Sequence, residues 1–268
     1  MGFSAEGETL ALASDTRHVT GVAVHYPQGH VVPLHQHRAG HLIYADRGLL
    51  RIEAETGQWL VPPTAAVWLR PNVAHRLVVP VALQAHGLFV PESLCAQLPA
   101  EDGVVAVGGL LREVIIALAR APAPCSVQRA QLLSALLIEE LRAPRTLPFH
   151  LPWPADAQMQ RLCQALIDDP GQAATAQVWG ERLAISSKTL HRRFLQGTGL
   201  TFGKWRQQLR LMHSLTQLLQ GVPITQVALA CGYDSHGAYA TAFKKQFGQP
   251  PSVFGRQASG GAAPLKGR

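Results

Sequence analysis

Lysine is missing from the first 150 residues of this 268-residue chain; all five lysines (Lys188, Lys204, Lys244, Lys245 and Lys266) lie beyond them. Residues 1–150 hold 11 arginines and 12 acids, a net of −1, whereas 151–268 hold 13 basic residues against five acids, a net of +8. So uneven a charge argues against one uniformly solvated surface and points to a polyanionic partner for the second half alone. Long apolar runs are also missing. No stretch of 18 or more apolar residues occurs, so no membrane span is expected. The opening MGFSAEGETLALASD has neither a basic start nor a long apolar core, which argues against a signal peptide. The four cysteines (Cys95, Cys125, Cys163, Cys231) lack metal-ligand spacing, and a reduced, cytoplasmic setting is the simplest account. There is no nucleotide loop, no Ser-His-Asp pattern and no cysteine in a nucleophile's context, so no motif indicates an enzyme.

What is present divides into two halves. Residues 1–16 are small and polar, and are expected to fray. From His18 the chain runs in short extended segments: HVTGVAVHY, HVVPLH, HLIYA, GLLRIEAE, QWLVPP, AAVWLR and HRLVVPV. PQG, RAG, DRG, ETG, PPT and PN punctuate them. Many strands at close spacing predict an all-β barrel or sandwich ending near Val90. From Pro91 the period becomes helical. Leu110, Leu111, Val114, Ile115 and Leu118 share a face over 107–120. Ala130, Leu133, Leu137 and Leu141 do so over 127–141, with Leu132 and Leu136 on the flank. Such apolar helices must be covered, either by the barrel or by a dimer seam as well.

APRTLPFHLPWP, 143–154, has four prolines (Pro144, Pro148, Pro152, Pro154) and reads as a stiff linker. Asp156 is placed to cap a helix running to about Asp168. Val178, Trp179 and Leu183 then mark a short helix, Ile185-Ser186 a turn, and SKTLHRRFLQGTG a second helix with Leu190 and Phe194 inward. Gly180 inside the first of these weakens it by about 1 kcal/mol relative to Ala, in return for close packing. Phe202, Trp205, Leu209, Met212 and Leu219 stripe a joining helix. Roughly 16 residues at ~1.5 Å each span about 24 Å, enough to set two recognition helices in successive major grooves.

The same arrangement repeats over 224–256. Pro223 suits a first helical position. Ile224, Val227, Ala228 and Cys231 make one face, and Gly232 stops the helix. Asp234 or Ser235 can cap the next, whose Tyr239, Phe243 and Phe247 recur every four residues. His236, Thr241, Lys244 and Lys245 lie off that stripe. Two short helices about a glycine turn, the second basic on its free side, are the geometry of a major-groove reader. The tail from Gln257, Gly/Ala-rich, is expected to be disordered.

The stretch VALACGYDSHGAYATAFKKQFGQPPSVF resembles the second half of the DNA-binding domain of AraC-type (AraC/XylS) transcription regulators. The resemblance covers about 156–256. Earlier, Gly29, five residues, His35-x-His37, three residues, His41, six residues and Gly48 resemble the first motif of the cupin barrel. The stretch from Arg70 to His75 stands where the second motif has Pro-x-Gly-x-x-His, with Asn72 in the glycine's left-handed position. His41 departs from the Glu or Gln of both comparisons. Sensor domains of AraC-type regulators often share this barrel.

The resemblance implies an α+β two-domain protein. A cupin-like β-barrel with trailing helices (17–142, sensing and dimerisation) leads through a Pro-rich linker (143–155) to an all-α domain with two helix-turn-helix units (156–256) and a tail (257–268). It implies a cytoplasmic bacterial regulator, nucleoid-associated when bound, with no enzymatic activity. Its partners are double-stranded DNA, a small-molecule effector, a second copy of the chain and, for an activator, RNA polymerase. Ser187, Lys188, His191, Arg192 and Arg193 match the first DNA-contacting helix; His236, Gly237, Thr241, Lys244 and Lys245 match the second. Arg192 is the candidate for guanine. Thr241 and Gly237 replace larger readers, so the second helix is expected to hold phosphate through Lys244 and Lys245. His35, His37, His41 and His75 form the candidate effector site. The cluster can hold a divalent metal (Zn, Fe or Ni), line an organic-ligand pocket, or be structural. By strand parity His30 is expected to face away, while His25 is left unplaced. A cupin metalloenzyme that also binds DNA is the alternative, but Glu53 and Glu55 read as solvated rather than as a general base. A non-specific DNA-packaging protein accords poorly with a built pocket.

Overall fold

The computed structural model describes residues 18–55, 57–120, 126–142 and 149–258, with the side chains of 255–258 left aside. Cys125, Pro144 and Pro148 lie outside it, as do the ends of the chain. Contacts divide the chain into two compact units, residues up to 55 with 59–150, and 56–58 with 151 onward. No described helix is long and apolar enough to cross a membrane.

The first unit is sheet-rich: β1 (Thr20–Tyr26), β2 (Val31–His35), β3 (Gly40–Ala54), β4 (Gly57–Val61), β5 (Ala65–Leu69), β6 (His75–Val90), α1 (Glu92–Cys95), β7 (Gly103–Ala106), α2 (Gly109–Ala119) and α3 (Val127–Arg142). HLIYA and GLLRIEAE, separated in the sequence by DRG, form the single strand β3. The expected turn is absorbed by register shifts against β6 at Ala45/Arg47 and Arg47/Leu49. β6 also outruns the run HRLVVPV. It pairs with β1 and β2 on one side and with β3 on the other, while β5 joins β3 to β7. No pairing among the described residues returns β7 or the short strand His150–Pro152 to β1 or β2, so the sheet is open rather than a closed barrel.

α2 and α3 cover one face of this sheet. Leu111, Val114, Ile115, Leu118, Leu137, Ile138 and Leu141 pack with Leu42, Tyr44, Trp68, Leu88 and Val90. The Val19 N–H donates to the Ser134 hydroxyl at 2.9 Å, tying α3 to the start of β1. Leu110, assigned to the apolar face from spacing, is instead exposed at 54%, and Leu132, on the flank of its helix, at 65%. Beyond α3, the Leu60 N–H donates to the Phe149 carbonyl at 3.0 Å, just before β8 (His150–Pro152).

The second unit is helical: α4 (Ala157–Asp168), α5 (Ala176–Arg182), α6 (Ser187–Thr198), α7 (Phe202–Leu219), α8 (Ile224–Ala230), α9 (His236–Phe247) and α10 (Pro251–Ala258). The caps read from sequence are in place. Asp156 accepts from the N–H groups of Gln158 and Met159. Ser186 accepts from Thr189 and Ser235 from Ala238. Asp234 does not cap, and Pro223 is the N-cap of α8 rather than its first residue. Gly232 ends that segment with φ 72. An added Cβ on Gly180 would stand 2.7 Å from the Ile185 carbonyl, the close packing its sequence implied.

At 18 residues, α7 is about 27 Å long at ~1.5 Å per residue. Trp205 anchors it, fully buried, edge-on to Phe194 at 5.6 Å and donating its indole N–H to the Pro152 carbonyl at 2.9 Å. Tyr239 ties α9 to the same helix, its hydroxyl donating to buried Ser214 at 2.9 Å. α10 extends two residues into the expected tail, to Ala258.

Candidate functional site

Two sites were legible as residue patterns, and each is built on a different unit. In the first, β2 ends on His35, the following turn carries His37, β3 opens with Gly40-His41, and β6 begins at His75. Strand pairing sets His35 opposite His75. The ring centroids of His35 and His75 stand 4.5 Å apart, those of His35 and His37 4.8 Å, and those of His37 and His41 4.9 Å. One coordinating atom from each of His35, His37 and His75 falls within 4.8 Å of the others. His41 joins through its Nδ1, 3.4 Å from Nε2 of His75. All four expected imidazoles therefore meet.

The tautomers follow from the neighbours. His35 Nδ1 lies 2.6 Å from the Pro33 carbonyl and His75 Nδ1 2.8 Å from the Val73 carbonyl. A carbonyl only accepts, so both Nδ1 atoms carry hydrogen and both Nε2 atoms keep a lone pair in the neutral ring. His41 Nδ1–H then donates to His75 Nε2. His37 Nε2 is buried without a hydrogen-bond partner. Burial, with His35 and His75 adding repulsion, lowers the His37 pKa to about 3. Burial likewise lowers His75 to about 4, against the opposing pull of the Val73 carbonyl. His41 is pushed well below the ordinary imidazole range, again chiefly by burial. His37, His41 and His75 are therefore held as neutral nitrogen bases.

Sequence spacing did not reveal the walls. Phe89 stacks on His41 at 4.6 Å and stands edge-on to His37 at 5.2 Å. Gly87 makes room for that ring, since an added Cβ would lie 3.0 Å from His41 Nε2. Asn72 adopts φ 64 and donates its N–H to the His37 carbonyl at 2.7 Å, closing the turn over the cluster. His30 stacks on Tyr26 at 4.9 Å, outside the cluster. His25 sits on β1 opposite Gln84. Glu53 is not solvated as its strand position implied: it pairs with both Arg51 and Arg76 and is 13% exposed. Its oxygens are engaged, so it is no free base. A further buried histidine lies outside the motifs, His86, whose Nε2 meets Asp46 at 3.1 Å while Arg120 holds the same carboxylate at 3.3 Å.

The second site is a pair of helix faces. On α6, Leu190 and Phe194 are fully buried, while Ser187, Lys188, His191 and Arg192 are exposed. On α9, Tyr239, Phe243 and Phe247 turn inward, while His236, Gly237, Thr241, Lys244 and Lys245 are exposed. Arg193, grouped with the first set from sequence, departs from it. Its guanidinium donates to the Gln158 side chain at 2.8 Å and lies 3.8 Å from Asp156, so it fastens α6 to α4.

Comparison with known proteins gives these faces their context. Residues 179–257 match the helix-turn-helix domain family, and residues 18–191 match the AraC-like ligand binding domain. The HTH-type transcriptional regulator NimR of Escherichia coli K12 is 33% identical over 226 residues, 83% of this chain and 81% of NimR. The HTH-type transcriptional activator RhaS of Pectobacterium carotovorum is 36% identical over 84 residues, 30% of either chain. Among solved structures, ToxT of Vibrio cholerae aligns with 91% of this chain and all of its own at 11% identity and a TM-score of 0.40, a distant likeness. The chain belongs to the AraC family of helix-turn-helix transcription regulators and is a DNA-binding regulator with its own ligand-binding domain.

Proposed function

We propose that residues 156–256 bind promoter DNA through α6 and α9 together, under control of a small-molecule effector taken up at the imidazole cluster of residues 17–142, with 143–155 as linker. The observation that carries this is the pair of capped helices, α6 burying Leu190 and Phe194 and α9 an aromatic stripe, each leaving a polar, basic face free. Arg192 has the fork geometry for guanine O6 and N7. Lys244 and Lys245 stand in the last turn of α9 and act on phosphate. Ser187, Lys188, His191, His236 and Thr241 complete the contact set, with Gly237 allowing close approach of the backbone. The protein works in the bacterial cytoplasm on the nucleoid, as a homodimer, and meets RNA polymerase where it activates.

The cluster fits a divalent metal. Its donors are imidazole nitrogens only, a set suited to Zn or Ni rather than Mg or Ca, with Fe less favoured where no carboxylate joins. Around Zn at ~2.0–2.1 Å, tetrahedral nitrogens stand about 3.3 Å apart, so the rings would close in by about 1.5 Å from the 4.8 Å they now span. Backbone carbonyls on Nδ1 of His35 and His75 orient Nε2 as the ligand atom. A bound metal would supply Lewis acidity there. With Glu53 engaged in ion pairs, we read that site as sensing rather than catalytic.

The test has two arms. Mass spectrometry of purified protein beside a His35→Ala/His37→Ala variant should find about one metal per chain, lost in the variant; no metal in either would leave the organic effector. Selection of duplexes from a random pool should yield a defined sequence, and failure to enrich any would overturn the regulator's specificity.

A further inference from the structure

Both recognition helices hang on α7, and α7 carries two arginines that do not face outward. Arg206 donates to the Ala174 carbonyl at 2.8 Å and to the Gln172 carbonyl at 2.6 Å. Arg210 donates from Nε to the Pro170 carbonyl at 2.9 Å and from Nη2 to the same Gln172 carbonyl at 3.1 Å. The accepting loop, 169–175, leads directly into the first helix-turn-helix. The Gln172 side chain braces it by donating to the Ala165 and Asp169 carbonyls at 2.9 and 3.2 Å.

The far wall of this junction is the second helix-turn-helix. An added Cβ on Gly232, in its turn, would stand 3.0 Å from Arg210 Nη1, and one on Gly171 would stand 3.1 Å from the Ala230 carbonyl at the end of α8. The Cys231 thiol donates to the Arg210 carbonyl at 3.3 Å. One loop therefore touches the second helix-turn-helix while opening the first, and two guanidinium groups hold it there. Side by side they repel, and burial together with Arg210 holds the Arg206 pKa below its ordinary value. Four bonds to backbone carbonyls offset that cost.

We infer that Arg206 and Arg210 are positioning residues that fix the separation of the two recognition helices, and so the half-site spacing the protein accepts. This rests on the reading that α6 and α9 engage DNA together. Two helices read successive major grooves only when their offset matches the helical repeat. The aromatic contacts of Phe194 and Trp205 and the Tyr239–Ser214 bond hold each unit to α7 without the junction, so its loss loosens their mutual angle and leaves the folds.

The experiment uses the full chain and the duplex it selects from a random pool, with derivatives carrying two extra base pairs between the half-sites. The wild type is expected to lose roughly tenfold or more in Kd on the lengthened duplex. Arg206→Ala/Arg210→Ala should bind the parent about tenfold more weakly, with its penalty for the insertion shrinking to about twofold. Arg206→Lys/Arg210→Lys keeps the charge but lacks the planar fork that serves two carbonyls, and should lose spacing discrimination in the same way. Gly171→Val leaves charge untouched, presses on Ala230 and should shift the preferred spacing; it and the Lys pair decide the matter if the Ala pair does not fold. Variants that keep the wild-type insertion penalty, or a Lys pair that restores it, overturn the inference. A wild type that binds DNA with no dependence on the insertion also overturns it while the DNA-binding reading stands; a wild type that enriches no duplex overturns that reading instead.

Discussion

Lowering the pH should loosen the N-terminal unit through its buried imidazoles. In the fold, His37 has a pKa of about 3 and His75 of about 4, both below the ordinary 6.5, with burial the main cause. A base whose folded pKa is depressed binds fewer protons folded than unfolded. Its contribution is complete above about pH 6.5 and declines as the pH falls toward the folded value. At pH 5 each ring has lost about 1.5 pH units of that window, roughly 2 kcal/mol at 1.36 kcal/mol per unit. The two together would remove about 4 kcal/mol, a large share of the 5–15 kcal/mol typical of a folded domain. His41, depressed by the same burial, acts in the same direction. Amide hydrogen exchange, corrected for intrinsic rates, reads this directly in peptides covering β3 and β6. Protection there should fall between pH 7.5 and pH 5 by the equivalent of a few kcal/mol, and less steeply in His37→Gln and His75→Gln. Protection that stays level over that range in the wild type, or falls equally in both variants, would refute the argument that these rings are buried neutral.

Other changes act on the DNA-binding unit and the cluster walls. Arg192→Ala should relax base preference at one position, with a loss of about 1–3 kcal/mol against the selected duplex in competition binding. Lys244→Ala should weaken binding evenly across sequences and flatten the log–log salt slope by about 0.9; a relaxed base preference in this variant would sink the division of labour between α6 and α9. Tyr239→Phe removes the bond to Ser214, which keeps its own donation to the Leu211 carbonyl at 2.6 Å, so thermal unfolding should show a cost of only about 1 kcal/mol. Gly87→Val sets a branched side chain against His41 and should abolish any metal or ligand binding at the cluster while leaving duplex binding intact.

The helix-turn-helix units were readable because their signals are local. Caps sit within three residues of the amides they bind, and stripes such as Tyr239-Phe243-Phe247 need only the helical period. The four histidines were readable because two sequence motifs hold them at fixed offsets about strand ends and the turn between β2 and β3. What was hidden is non-local or interrupted. Gln84, His86 and Gly87 break the apolar alternation of β6, yet pairing to β1 and β3 on both sides carries the strand through. Asp46-Arg47-Gly48 has the composition of a turn but is absorbed as irregular pairing against the same long neighbour. Leu110 and Leu132 fall within the helical period, but the sheet covers a narrower arc of each helix than that period allows. Arg193 was grouped with the DNA-facing residues, and Arg206 and Arg210 drew no reading at all; their partners are 32 to 40 residues away, where no spacing rule reaches.

The chemistry of the imidazole cluster narrows what an effector there can be. Burial opposes the charged form of His37, His41 and His75, and the carbonyls of Pro33 and Val73 turn the lone pairs of His35 and His75 inward. A site of converging lone pairs attracts a Lewis acid or a hydrogen-bond donor, and it repels a carboxylate. An anion would be welcome beside His37 or His75 only once that ring took up a proton, which with pKa values of about 3 and 4 calls for acid. Calorimetric titration at pH 7 should therefore detect Zn or Ni, or a small organic molecule rich in N–H donors, and no binding of acetate or longer monocarboxylates at this cluster. Metal binding should release almost no protons from His37, His41 and His75 at pH 7. A monocarboxylate that bound at pH 7 and was lost in His37→Gln would mean that a ring carries charge in the fold, against the direction its burial dictates.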